Sequence, residues 1–250
     1  QYLRFDRGLE LHHDGDLPAR SGMGSSSAFT VGLLHALYAL GGEMRTKMQL
    51  ARESIHVEQE LVGETVGSQD QVMAAFGGLK YAQFQPDGRI DVDPVPLAPG
   101  RLAELQAHLM LFYTGVPRTA SEVARTYAAE PERRRRELKA LRALVEEGID
   151  LLVGGADLHA FGELLHEAWR LKRGLSRQVT NAEVDALYDA ARAAGAVGGK
   201  LTGAGGGGFL LLFVPPERRA AVLAALRGKI HVPFTFESAG RQIIFYDPGV

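Results

Sequence analysis

The sequence lacks cysteine altogether and has a single asparagine, a single tryptophan and no long hydrophobic run among its 250 residues. Without cysteine there is no disulfide framework, no thiolate zinc site and no cysteine nucleophile. The single asparagine, Asn181, is followed by Ala and Glu, so the sequence offers no N-glycosylation acceptor. No apolar run approaches the ~20 residues that cross a bilayer. We therefore expect no membrane association and a cytoplasmic protein.

Positive and negative charges are nearly balanced, with 28 basic and 30 acidic residues and a formal net charge of −2. Such a balance gives no electrostatic reason to expect nucleic acid or an anionic membrane as a partner. The chain is 46% hydrophobic, which is ordinary for a globular protein. Its length suffices for one large domain or two modest domains with cores of their own.

Hydrophobic periodicity predicts helices and strands that mix without a strict β-α-β alternation, which favours an α+β fold over a doubly wound sheet. The predicted helices cover residues 28–40, 46–61, 69–75, 119–129, 131–153, 157–175, 181–194 and 216–227. The predicted strands cover residues 9–13, 79–84, 89–93, 108–113, 209–214, 231–237 and 242–246. Prolines at 94, 96 and 99 predict a domain boundary, so we expect one domain over residues 1–97 and another over 98–250.

A loop with two glycines and three consecutive serines leads directly into the first helix, in the sequence DLPARSGMGSSSA over residues 16–28. The first N–H groups of a helix lack partners and lie at the positive end of its dipole, so they favour phosphate. A single serine would suffice to cap the helix. The cluster therefore favours an anion-binding loop over a simple cap.

A second glycine-rich segment, KLTGAGGGG over residues 200–208, has five glycines in its last six positions. It contains the letters of a dinucleotide-binding fingerprint, but a predicted strand follows it where that motif requires a helix. A Walker A loop is excluded as well, because Leu201 follows Lys200. A simple hairpin turn needs only one or two glycines, so we interpret the segment as backbone that a ligand approaches closely.

A third candidate is the acid Asp70, in the segment GSQDQ over residues 67–71, with Glu58 on the helix before it. Such an acid can serve as a base or lie near a metal. By itself the pattern favours an acid that complements a helix dipole.

Together these segments resemble the GHMP kinase superfamily of small-molecule kinases. Residues 18–28 resemble its PxxxGLGSSAA motif, with Met23 for Leu and Ser27 for Ala, and residues 200–208 resemble its C-terminal glycine-rich motif. The segments DLPARSGMGSSSAFTVGLLHALYAL and VGSQDQ look most like the branch that phosphorylates D-glycero-D-manno-heptose 7-phosphate. The resemblance implies a ribosomal-S5-like N-terminal domain, a ferredoxin-like C-terminal domain, and ATP and Mg²⁺ as cofactors.

The resemblance also implies roles for individual residues. Asp70 becomes the candidate base, and Ser26 with Glu58 the candidate Mg²⁺ ligands, with Glu60 and Glu64 open as alternatives to Glu58. The residues implied to bind ATP phosphates are Arg20, Ser21, Gly22, Met23, Gly24, Ser25, Ser26 and Ser27. Those implied to close over substrate and phosphates are Thr202, Gly203, Ala204, Gly205, Gly206 and Gly207, while Arg118 is a candidate for holding the substrate's own phosphate or for an interdomain salt bridge.

The start of the sequence departs from the family pattern. Residues 1–11 do not match the strand-and-loop motif with which the family begins, so we expect the N-terminal domain to be incomplete at its start. The predicted function is ATP-dependent phosphorylation of a heptose 7-phosphate at its anomeric hydroxyl. A fucokinase-like or other sugar kinase, and a GHMP-fold protein that binds sugar and nucleotide without transfer, are the alternatives. The expected partners are a sugar phosphate and ATP, without nucleic acid, and a homodimer is compatible with the family.

Overall fold

The computed structural model of the protein describes residues 2–3, 5–6, 8–17, 21–116, 120–128 and 131–247. Its α-helices are α1 (Ser25–Leu40), α2 (Lys47–His56), α3 (Gln69–Phe76), α4 (Arg101–His108), α5 (Ala120–Ala128), α6 (Arg135–Val153), α7 (Leu158–Arg173), α8 (Ala182–Ala193) and α9 (Arg219–Ala225). A π-helical turn (Val57–Leu61) extends α2, and 3₁₀ turns (Pro131–Arg134 and Pro216–Arg218) precede α6 and α9. The strands are β1 (Lys80–Phe84), β2 (Ile90–Pro94), β3 (Leu109–Tyr113), β4 (Gly198–Leu201), β5 (Phe209–Phe213) and β6 (Ile230–Val232).

In the N-terminal half, three helices pack against an antiparallel hairpin of β1 and β2. Thr46 begins α2 with a capping box, in which its hydroxyl accepts a hydrogen bond from the Gln49 backbone N–H at 3.2 Å and the Gln49 side chain accepts one from the Thr46 N–H at 2.8 Å. The buried core of this half comprises Val31, Leu34, Tyr38, Leu50, Ala51, Val72 and Ala75. Because α1 and α3 share this core, their N-termini come together, and Gly24 contacts Asp70.

In the C-terminal half, a four-stranded antiparallel sheet has the order β4-β5-β3-β6. One face carries the larger core, in which Trp169, Tyr188, Phe112 and Leu212 are buried with residues of α8 and α9. On the other face, Phe213 packs with Leu105 and Leu158. The all-antiparallel sheet with helices on its faces confirms the α+β prediction and excludes a doubly wound sheet.

The two halves are held together by the C-terminal segment, which returns to the N-terminal half. The Lys47 ammonium donates hydrogen bonds to the carbonyl oxygens of Phe76, at 2.8 Å, and Ala239, at 2.7 Å. Next to this contact, a Cβ atom added to Gly77 would lie 2.0 Å from the Gly240 nitrogen. Glycine is therefore required there, because a side chain would separate the two backbones.

Two predicted strands are wrong, and one helix and one strand of the structure were not predicted. Residues 9–13 and 242–246 are exposed and irregular, because a strand forms only beside a partner edge, and within the described residues neither segment has one. The predicted strand 231–237 shortens to Ile230–Val232, since Pro233 has no N–H for the sheet. The prediction missed α4 and β4. The other predicted helices and strands are confirmed to within a few residues, and α1 begins at Ser25 rather than Ala28.

No helix in the described part of the chain is long and apolar enough to cross a membrane.

Candidate active site

The N-terminus of α1 is open to a ligand. Gly24 is its N-cap residue, with a φ of 69° that glycine adopts without strain, and no described side chain caps the helix. The helix therefore begins with backbone N–H groups that no side chain satisfies. Ser25 and Ser26 are in its first turn, and Ser27 beside them is buried. This arrangement suits an anion, because the positive end of the helix dipole adds to the free donors.

Glu58 is buried beneath this first turn, with 3% of its surface exposed, and four side chains donate hydrogen bonds to its carboxylate. Its Oε1 accepts from the hydroxyls of Ser26 and Thr30, each at 3.1 Å. Its Oε2 accepts from the Ser27 hydroxyl at 2.9 Å and from the side-chain amide of Gln71. Donors to both oxygens compensate the burial of an ionised carboxylate.

The other two acids considered for the same position have different surroundings. Glu60 is exposed, and its Oε2 lies 2.9 Å from His56 Nδ1. Glu64 is exposed in the loop after the π-helical turn, where it lines the edge of the cavity described below. Of the three, Glu58 is the one that contacts Ser26.

Asp70 is in the first turn of α3, directly beside the α1 N-terminus. A Cβ atom added to Gly24 would lie 3.4 Å from the Asp70 Cβ atom, so the absence of a side chain at Gly24 allows this approach. Asp70 also interacts electrostatically with Lys200, which is partly buried in β4. Burial lowers the pKa of the Lys200 ammonium, whereas the negative charge of Asp70 raises it. The carboxylate and the ammonium therefore belong to one electrostatic cluster.

The glycine-rich segment forms the loop of the β4–β5 hairpin, and the backbone of other segments lies against its glycines. A Cβ atom on Gly208 would lie 2.0 Å from the Ser21 carbonyl oxygen, and one on Gly207 would lie 2.4 Å from the Val116 carbonyl oxygen. The Asn181 side-chain amide donates to the Gly206 carbonyl oxygen at 3.0 Å. The loop is therefore packed against the α1 loop, which places two glycine-rich segments in contact.

These segments enclose a cavity of about 500 Å³. The predicted residues that line it are Ser21, Gly22, Gly24, Ser25, Ser26, Ser27, Glu58, Asp70, Gly203 and Ala204. The predicted residues that are not in its lining are Met23, Thr202, Gly205, Gly206 and Gly207. Arg20 and Arg118 lie outside the described residues.

Sequence reasoning assigned no role to several residues of the cavity. Gln71 and Thr30 both donate to Glu58, and Ala124 and Tyr127 line the wall formed by α5. Gln71 follows Asp70 directly, so the GSQDQ segment that contains the candidate base also contains Gln71. Thr30 is one helical turn after Ser26, a spacing that places both on one face of α1.

Comparison with known proteins agrees with this arrangement. Residues 1–78 match the family described as GHMP kinases N terminal domain, and residues 138–231 match GHMP kinases C terminal. The chain belongs to the GHMP kinase family. The resemblance inferred from the two glycine-rich motifs is thereby confirmed.

Among curated relatives of this GHMP kinase, a D-glycero-alpha-D-manno-heptose 7-phosphate kinase of Campylobacter jejuni is 31% identical over 199 residues, which cover 79% of this chain and 58% of the relative. A bifunctional fucokinase/GDP-fucose pyrophosphorylase of Arabidopsis thaliana is 29% identical over 204 residues, covering 79% of this chain and 19% of that protein. Among solved structures, a D-glycero-D-manno-heptose 1-phosphate kinase from Bacteroides thetaiotaomicron has a TM-score of 0.70 at 28% identity, covering 93% of this chain and 66% of that one. The chain thus spans about six tenths of the length of its heptose kinase relative.

We expect the variant Lys200→Met to raise the stability of this GHMP kinase at neutral pH. Because burial lowers the pKa of Lys200 below 10.5, the unfolded state binds more protons between the lowered pKa and 10.5. Stability of the wild type should therefore rise with pH through that window, and the variant should lack this component. Urea unfolding at neutral pH and near pH 10 measures both effects.

The exposed Lys139 provides the control for this measurement. Lys139→Met should change neither the free energy of unfolding nor its pH dependence. A Lys200→Met protein that is less stable at neutral pH would mean that the attraction of Asp70 outweighs the cost of burying the ammonium.

Proposed function

We propose that the protein is an ATP-dependent sugar kinase that phosphorylates a heptose 7-phosphate at its anomeric hydroxyl. The observation that carries the proposal is the meeting of three groups around one cavity: the open α1 N-terminus, the Ser26–Glu58 pair and Asp70. Phosphoryl transfer needs mainly positioning of the reactants and stabilisation of charge. These three groups have the chemistry that such a reaction requires.

ATP phosphates would bind at the first turn of α1. Its free N–H groups and the hydroxyls of Ser25 and Ser26 would hold them, and Gly22 and Gly24 leave the backbone accessible. The hydroxyl of Ser21 also supports this assignment, since it is buried at the cavity wall without a hydrogen-bond partner among the described residues. A buried hydroxyl without a partner is rare, and a bound ligand is one explanation for it.

Mg²⁺ would be held by Ser26 and Glu58. A hydroxyl and a carboxylate are oxygen donors, which Mg²⁺ prefers, and the described residues contain no cluster of three acidic or histidine side chains that would make a full protein cage. A site with few protein ligands suits Mg²⁺, which usually keeps waters and binds substrate phosphates. When bound, the ion supplies positive charge that neutralises the β- and γ-phosphate oxygens.

Asp70 would accept the proton of the attacking sugar hydroxyl. The hydroxyl oxygen forms a bond to the γ-phosphorus, ADP leaves with the electron pair of the broken bond, and the hydroxyl proton passes to the Asp70 carboxylate. Gly203 and Ala204 would cover the reactants from the hairpin loop. The assignment of Arg118 to the substrate's own phosphate rests on the sequence alone.

A panel of acceptors tests the substrate. With ATP and Mg²⁺, D-glycero-D-manno-heptose 7-phosphate should give kcat/KM at least about 100-fold higher than the same heptose without its phosphate, since a site built for a charged group rejects the analogue that lacks it. ADP release measures the rate, and ³¹P NMR of the product identifies the hydroxyl that gained the phosphate. A preference for the unphosphorylated sugar would contradict the substrate assignment.

Two alternative functions, a fucokinase-like enzyme and a non-catalytic binding protein, would give different experimental results. Phosphorylation of fucose in preference to either heptose would make the protein fucokinase-like, the function favoured by its similarity to the Arabidopsis thaliana protein. Binding of sugar and nucleotide in calorimetry, with no ADP formed over hours, would identify a non-catalytic binding protein.

A further inference from the structure

Gln71 is a completely buried polar side chain in the wall of the cavity. Its amide nitrogen donates to Glu58 Oε2, whereas its amide oxygen is buried without a hydrogen-bond partner among the described residues. A buried polar atom without a partner lowers stability, so the presence of this oxygen requires an explanation. The hydrogen bond that the amide nitrogen donates to Glu58 provides the explanation.

The orientation of this amide follows from its neighbour. An ionised carboxylate only accepts hydrogen bonds, so the NH₂ group and not the oxygen of Gln71 must face Glu58. Turning the amide over would bring its oxygen against the carboxylate and repel it. The unpartnered oxygen is thus a consequence of holding Glu58.

The two oxygens of Glu58 have different surroundings. Oε2 accepts from Ser27 and Gln71, which are both buried, so this oxygen is fixed inside the protein. Oε1 accepts from Ser26, which is exposed, and from Thr30, which is partly buried. Holding Oε2 therefore directs Oε1 towards Ser26 and the cavity.

Gln71 is also next to Asp70 in the first turn of α3. The hydrogen bond from Gln71 to Glu58 consequently joins the helix that carries Asp70 to the π-helical turn that carries Glu58. A shift of one helix relative to the other would break the hydrogen bond, so the bond opposes changes in the position of Glu58 relative to Asp70.

We propose that Gln71 is a positioning residue that holds Glu58 in the orientation needed to bind the divalent cation, an inference that rests on the proposed function. Its role would be exercised through its hydrogen bond to Glu58. Partners that orient a metal ligand typically change metal affinity 10- to 100-fold when they are removed. Removal of the Gln71 side chain should therefore weaken binding of the divalent cation and leave sugar binding unchanged.

The test is the variant Gln71→Met, which keeps the length of the side chain and removes both the donor and the unpartnered oxygen. Mn²⁺ binding is measured by electron paramagnetic resonance in the presence of a non-hydrolysable ATP analogue. The dissociation constant of Mn²⁺ should rise about 10-fold or more. In the kinase assay, the Mg²⁺ concentration for half-maximal activity should rise, and saturating Mg²⁺ should restore most of kcat.

Gln106 offers a matched control, because its side chain makes two hydrogen bonds remote from the cavity, to the backbone of Phe234 and Phe236. Gln106→Met should lower the melting temperature and leave Mn²⁺ binding unchanged, which would show that the loss of a glutamine's hydrogen bonds does not by itself weaken metal binding. If Gln71→Met does not fold, Gln71→Asn is measured in its place, since its shorter amide does not reach Glu58.

A Mn²⁺ dissociation constant within twofold of the wild type, in whichever Gln71 variant folds, would overturn the proposal. So would a loss of kcat that saturating Mg²⁺ does not restore. Failure of the proposed function gives a different result, because the wild-type protein itself would then either bind no Mn²⁺ with the ATP analogue or bind it without transferring phosphate to the heptose 7-phosphate.

Discussion

Replacing Asp70 by Asn is expected to lower kcat for sugar phosphorylation by about 10²- to 10⁴-fold, the usual contribution of a general base. The amide of Asn has nearly the shape of the carboxylate but does not take the proton from a sugar hydroxyl. Asp70 lies in the first turn of α3 beside Gly24, where it lines the same cavity as the open N-terminus of α1. Steady-state kinetics with the preferred sugar phosphate measures the loss.

Measuring the affinity for an ATP analogue distinguishes loss of the catalytic base from damage to the nucleotide-binding site. Because Asp70 is proposed to act on the sugar hydroxyl, its replacement should change the dissociation constant of the analogue little. The exposed Asp93 on the β2 strand is a matched control, and Asp93→Asn should keep the wild-type kcat. A kcat of Asp70→Asn equal to that of the wild type would remove the role of Asp70 as base.

The parts of the site predictable from sequence are those whose chemistry is local. The glycines and serines of residues 22–27 identify the start of a helix with free N–H groups, because this property depends only on neighbours in the chain. The start of α1 at Ser25 places three more serines within the helix than the hydrophobic pattern indicated. Polar residues at a helix start do not contribute to hydrophobic periodicity, which explains the difference.

The choice between Glu58, Glu60 and Glu64 was not predictable from spacing. Helical periodicity of 3.6 residues assigns faces only within a regular α-helix, and Val57–Leu61 is a π-helical turn. The extra residue in such a turn changes which side chains face inward. The inward direction of Glu58 is defined by its hydrogen bonds to Ser26, Ser27, Thr30 and Gln71, which are distant in sequence.

The β4 strand shows a similar dependence on tertiary structure. Gly198 and Gly199 have low strand propensity, so the segment looked like a turn. A Cβ atom on Gly198 would lie 1.9 Å from the Gly162 carbonyl oxygen of α7, which shows that the helix packs directly on the strand backbone. The glycines are there for this close contact, which the local sequence does not reveal, and β5 supplies the pairing that makes the strand.

Gly208 lies where the two glycine-rich segments are in contact, so its replacement is expected to lower the stability of the protein. A Cβ atom there would lie 2.0 Å from the Ser21 carbonyl oxygen, a backbone atom that moves only with the whole loop. Its φ of 84° adds backbone strain for any other residue. We expect Gly208→Ala to lower the free energy of unfolding by about 3 kcal/mol, from overpacking together with strain. Urea unfolding followed by circular dichroism measures the change.

Gly228 separates the two causes, because its φ of 96° imposes the same kind of strain but no atom lies within 4 Å of an added Cβ. Gly228→Ala should therefore lose only the strain component, about 1–2 kcal/mol, and keep its activity. Gly208→Ala should in addition displace Ser21 from the cavity wall and weaken binding of the ATP analogue. Equal losses of stability in the two variants, with unchanged nucleotide binding, would show that the hairpin loop does not hold the α1 loop in position.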